Sequence, residues 1–80
     1  PLAREPAVTV TARLTTRARV PATDDASTIV EQWWVTEGTL RVGGTICRAG
    51  DVALIDPRRH EVEAVDNAIV MVVGAERFFP

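Results

Sequence analysis

The 80-residue chain has one cysteine, one histidine and no lysine. A single cysteine excludes a disulfide within the chain. A single histidine beside a single cysteine excludes a zinc cluster built from soft ligands, because four such donors cannot be assembled. All nine cations are arginine, spread along the sequence and balanced by 11 carboxylates to a net charge of -2. That balance argues against a nucleic-acid partner, which calls for basic residues gathered on one face. No apolar run approaches the roughly 18 residues of a membrane span. No charged-then-apolar leader opens the chain, so the expectation is a cytoplasmic protein with no signal peptide and no membrane partner.

The length fits a single domain, 1–80, with residues 1–6 and 77–80 as flanking tails. A domain this small buries only about 60% of its unfolded surface. With disulfides excluded, added core must come from a partner subunit or from a site rich in oxygen ligands. Homodimerisation is the expectation. Phe78-Phe79 in the tail reads as packing on the domain or on a second subunit.

The dominant period is two. Val8, Val10, Ala12 and Leu14 alternate with Thr9, Thr11 and Arg13, the pattern of a half-buried strand. Residues 16–20 read as its extended continuation, and 21–27 as a polar loop with Asp24-Asp25. Residues 28–36 are β-branched and aromatic. Gly43-Gly44 between short apolar runs predicts a hairpin, because primed turns need positive φ. Short strands follow at 52–55, 60–65 and 69–73, separated by turns at 50–51, 56–59 and 66–67. About seven short antiparallel strands without a helix predict an all-β barrel or sandwich.

Alternation also selects the polar side chains that face inward. Glu31 shares a face with Ile29, Trp33 and Val35, and His60 with Val62 and Ala64. Two titratable groups converging in an apolar interior mark a candidate site. The plainer reading is that they satisfy each other in the core, and a register slip of one would turn both outward. Trp33 and Trp34 must face opposite ways, one filling the interior and the other outside. Cys47 reads as an inert small core residue.

The residues from Glu31 to Gly38 resemble the end of the first motif of the cupin superfamily, a glutamate followed six residues later by glycine. Gly50-Asp51, an apolar strand, Asp56-Pro57 and His60 resemble the second motif. The likeness covers roughly residues 15 to 73, with Gly43-Gly44 at the hairpin between the motifs. It is closest to short cupins with little beyond the conserved core. It implies a cupin-type β-barrel, a double-stranded β-helix or jelly roll. It also implies a small-molecule pocket in which Glu31 and His60 occupy metal-ligand positions. The departures are specific. The two histidines that open the first motif are replaced by Asp25 and Ser27, or by Asp24 and Ala26. The turn before His60 is short and carries Arg58-Arg59 in place of glycine, and the usual downstream asparagine slot is empty, with Asn67 further on.

His60, Glu31 and Asp25 would make a one-histidine, two-carboxylate set for a divalent ion such as iron, manganese, nickel or zinc. Losing two imidazoles weakens such a site, and the balance favours a metal-free pocket. The resemblance therefore implies an enzyme of isomerase, cyclase or lyase type, with His60 and Glu31 as a general acid–base pair. The alternatives are a non-catalytic sensor or binding module, or a dimerisation scaffold that has lost its metal site. Trp33 would line the pocket for a planar or apolar ligand or simply fill the core. Arg58 at the rim would clamp a carboxylate or phosphate.

Overall fold

A computed structural model of the chain describes residues 9–24 and 30–74. Eight strands lie within them: β1 (Thr9–Leu14), β2 (Arg19–Val20), β3 (Glu31–Glu37), β4 (Thr39–Val42), β5 (Thr45–Arg48), β6 (Val52–Ile55), β7 (Val62–Ala64) and β8 (Ala68–Val73). No helix occurs among the described residues, and hence none long and apolar enough to cross a membrane. Both predicted tails, Asp25 and Phe78-Phe79 lie outside the described residues.

The expected extended run through 16–20 is broken. Ala18 N–H donates to Thr15 C=O at 2.9 Å, and Arg17 adopts φ 73°. A left-handed arginine is strained, and long-range bonds hold it there. Arg17 N–H donates to Ala64 C=O at 2.7 Å. Thr16 donates to Asn67 Oδ1 from its N–H at 2.9 Å and from its hydroxyl at 3.1 Å. These partners lie far away in sequence, so local alternation gives no sign of the corner.

The Gly43-Gly44 hairpin forms as expected. Val42 pairs with Thr45, and of the two glycines only Gly43 has positive φ, 58°. That is the pattern of a type II′ turn. The first half of the chain then folds back on the second. β4 pairs with β5, β3 with β6, β2 with β7 and β1 with β8, all antiparallel. Two further ladders, β3 with β8 and β4 with β7, roll this ribbon over. The product is two four-stranded sheets, ordered β1-β8-β3-β6 and β2-β7-β4-β5. Among the described residues no ladder joins one sheet to the other, so of the expected barrel or sandwich the arrangement is an open packing of two sheets.

The inner faces supply the core. Trp33, Val35, Ala53, Ile55, Ala68, Val70 and Val72 come from the first sheet, and Leu40, Val42, Cys47, Val62 and Ala64 from the second. Burying each of the larger aliphatic side chains contributes roughly 1.5–3 kcal/mol. β3 obeys its predicted alternation: Glu31, Trp33 and Val35 are buried and Gln32, Trp34 and Thr36 exposed.

Between β3 and β4 the chain crosses from one sheet to the other at Gly38, with φ 84°. A Cβ here would collide with the Asn67 carbonyl oxygen and lie 2.6 Å from Ala68 Cα. Gly43 meets nothing within 4 Å. We expect Gly38→Ala to cost about 2–5 kcal/mol, from left-handed strain plus overpacking. Gly43→Ala should cost only the strain, about 1–2 kcal/mol. Urea unfolding of the two variants measures the difference, and equal losses would show that the crossing is looser than described.

Candidate functional site

The site begins with the parity of β3. Residues i and i+2 share a face, which places the Trp33 indole beside the Glu31 carboxylate. Trp33 Nε1–H donates to Glu31 Oε1 at 2.9 Å, with Glu31 only 1% exposed. A buried carboxylate is costly unless hydrogen bonds compensate it, and a bond to a charged group contributes roughly 1.5–3 kcal/mol. Glu31 lies across from Ile55 on β6, and Trp33 across from Ala53.

His60 is placed by the turn that follows β6. Asp56 organises it. Its side chain accepts the Arg58 N–H at 3.0 Å, and its carbonyl accepts the N–H groups of Arg59 and His60, each at 2.9 Å. Aspartate before proline favours such a self-bonded turn. Asp56 N–H in turn donates to His60 Nδ1 at 2.8 Å. A backbone N–H only donates, so Nδ1 carries no proton. The neutral ring therefore holds its proton on Nε2. In this tautomer Nε2–H is a hydrogen-bond donor with no lone pair free for a cation or an incoming proton.

Half-buried His60 borders two concavities. One, of about 390 Å³, opens at the seam between the sheets and is lined by Val42, Cys47, Val52, Ala53 and Leu54, with the Gly43-Gly44 hairpin at its mouth. Glu31 belongs to the inner face of the next strand, two positions along from Ala53's partner Trp33. The other, of about 250 Å³, is lined by Arg41, Arg59, Glu61 and Glu63.

The remaining expected site residues fall elsewhere. Trp33 is 1% exposed and acts as core and as donor to Glu31. Arg58 is exposed and borders a shallow cleft with Asp24, Asp56 and Arg59. Asp25 lies outside the described residues. Among those described, no three His, Cys, Asp or Glu side chains are grouped to hold a metal. With His60 Nε2 protonated, the described donors do not fit a divalent ion. The Trp33–Glu31 bond was available from i, i+2 spacing. The Asp56 cap on His60 Nδ1 had a weaker signal, the Asp-Pro dipeptide.

No known family's model matches the chain, and no curated protein or solved structure is similar to it.

Burial, and secondarily the negative charge of Asp51, pushes the Cys47 thiol above its ordinary range. The folded state thus keeps the proton longer than the unfolded chain does. This contribution is fully present below the ordinary thiol range and lost as pH rises above it. Alkylation of Cys47 in the folded protein should be at least about tenfold slower than in the urea-unfolded chain at mildly alkaline pH. Equal rates would contradict its burial. For His60, ¹⁵N NMR at neutral pH should show an unprotonated Nδ1 and a protonated Nε2; the reverse assignment would remove the Asp56 bond.

Proposed function

We propose that the chain is a cupin-type jelly roll that binds a small organic carbonyl compound between its sheets and promotes its enolisation, as an isomerase or a cyclase does. The strand order supports the fold reading. Strands 1, 8, 3, 6 and 2, 7, 4, 5 are the order that results when a long hairpin is rolled into two interleaved Greek keys. The motif-like segments fall on β3 and on β6 with the turn to His60, and β3 and β6 are paired neighbours.

The observation that carries the functional reading is a carboxylate kept on the apolar inner face, two positions along β3 from Trp33, whose β6 partner Ala53 lines the concavity that His60 borders. The roles divide accordingly. Glu31 takes a proton from the carbon beside the carbonyl, and the C–H electron pair becomes the C=C bond of an enolate. The oxygen gains the charge, and His60 Nε2–H hydrogen-bonds it. A neutral imidazole is suited to this, since it stabilises charge without giving up its proton. Trp33 Nε1–H holds the carboxylate in place. Returning the proton to a different carbon completes an isomerisation.

A non-catalytic binding module is the second reading, favoured by the near-complete exclusion of Glu31 from solvent. Deuterium wash-in at the α-carbon of bound carbonyl compounds, followed by NMR, separates the two. Exchange should fall by roughly 10²–10⁴ in Glu31→Gln and by about 10²–10³ in His60→Phe. Binding without exchange selects the module. Failure of a broad carbonyl set to bind at all would defeat both.

A further inference from the structure

Two opposite charges stand unpaired at one end of the first sheet. On simple alternation Glu37 shares the inward face of β3 with Glu31, Trp33 and Val35. The structure turns it outward. Between Val35 and Glu37 the ladder to β8 shifts register: Val35 pairs with Val70, but Glu37 pairs with Ile69. Thr36 is the extra residue of this bulge, and its hydroxyl donates to the Ile69 carbonyl at 2.9 Å. Bulges of this kind re-aim a side chain and are common beside functional sites. Here Glu37 is exposed and comes level with Ile69, whose partner on the other side is Arg13 of β1. Arg13, Ile69 and Glu37 thus form one row across β1, β8 and β3.

The row borders a cavity of about 400 Å³ that shares no residue with the concavity at the sheet seam. Leu14, Ala68 and Ile69 line it with apolar surface, and Thr15 and Asn67 add polar groups. The Asn67 corner is held from two sides. Asn67 Oδ1 takes the Thr16 N–H and hydroxyl at 2.9 and 3.1 Å, which leaves its NH2 group without an acceptor among the described residues. The neighbouring Asp66 accepts the Thr39 N–H at 2.8 Å. Arg13 and Glu37 are anchored two strands apart, roughly 10 Å at the backbone, with Ile69 between them. Neither takes part in an ion pair among the described residues. The charged cavity beside His60 differs: there Arg41 is engaged by Glu63 at 2.8 Å, and Arg59 approaches Asp56 at 3.9 Å.

The geometry points to a second binding site, between Arg13 and Glu37, for a small zwitterion: a free amino acid with an aliphatic side chain. The charges select it. An anion held by Arg13 meets the Glu37 carboxylate across the cavity, and a cation held by Glu37 meets Arg13. A molecule that carries both charges satisfies both walls. Its carboxylate accepts from the Arg13 guanidinium and the Asn67 NH2, its ammonium donates to Glu37, and its side chain covers Ile69 and Leu14. A cavity of this volume stands at the small end of ligand pockets, as a single amino acid requires. The inference is independent of the carbonyl reading, because the two cavities have separate walls.

NMR titration of the ¹⁵N-labelled full chain with leucine tests it. Leucine should shift the backbone signals of Arg13, Ile69 and Glu37 and the side-chain NH2 of Asn67, with a Kd in the millimolar range, and leave the His60 ring unmoved. N-acetyl-leucine, which lacks the ammonium, and leucine amide, which lacks the carboxylate, should each bind about tenfold more weakly. Two variants at exposed positions separate the charges. Glu37→Gln should cancel the advantage of leucine over N-acetyl-leucine, and Arg13→Gln its advantage over leucine amide, each with unchanged far-UV circular dichroism. No shifts in this row up to the solubility limit of leucine would overturn the assignment. So would equal binding of the free and capped compounds, or variants that bind leucine as the wild type does.

Discussion

The structure depends on one constraint: the two halves of the chain must pair with each other along their length. With Gly43-Gly44 as the tip, the antiparallel ribbon extends outward from β4/β5 to β1/β8. Pairing alone would leave an amphipathic ribbon with one apolar face in water. The roll that adds β3 to β8 and β4 to β7 closes that face on itself and creates the core. Most of the contacts are therefore long-range, which implies slow folding for so short a chain. It also explains why the corners carry the specific polar bonds. Thr16 to Asn67 and Thr39 N–H to Asp66 Oδ1 at 2.8 Å tie the bends of the two arms together.

Rolling the ribbon fixes the chemistry of each surface. β3 runs through the middle of its sheet, between β8 and β6. Its inward residues, Glu31 and Trp33, are therefore enclosed, and its outward residue Trp34 is shared with both neighbours. One strand thus contributes a buried carboxylate to the interior and an indole to the outer face. A concavity lies between the edges β5 and β6, and the Asp56 turn sets His60 on its border.

Much of this was legible from residues alone. The period of two located β1, β-branched and aromatic composition located β3, short apolar runs located β6 and β8, and the glycine pair located the hairpin. The inward direction of Glu31 and the opposite directions of Trp33 and Trp34 followed from parity. What was not legible depends on partners remote in sequence. The Thr15–Ala18 corner is a turn because Ala64 and Asn67 reach across to it. Arg41 pairs with Glu63 because β4 adjoins β7. The tautomer of His60 follows from a backbone N–H four residues earlier, and no count of histidines reveals it. That single histidine first served only to exclude zinc clusters. In the fold it is a donor whose other nitrogen is already engaged.

The two adjacent tryptophans offer the most direct test of the central claim, that the interior at the sheet seam is the binding site. Their indole N–H signals report on opposite faces of one strand. Titrating the ¹⁵N-labelled protein with planar enolate mimics should shift the Trp33 indole and the His60 ring signals and leave Trp34 unmoved. Shifts at Trp34 with Trp33 and His60 unchanged would contradict the account.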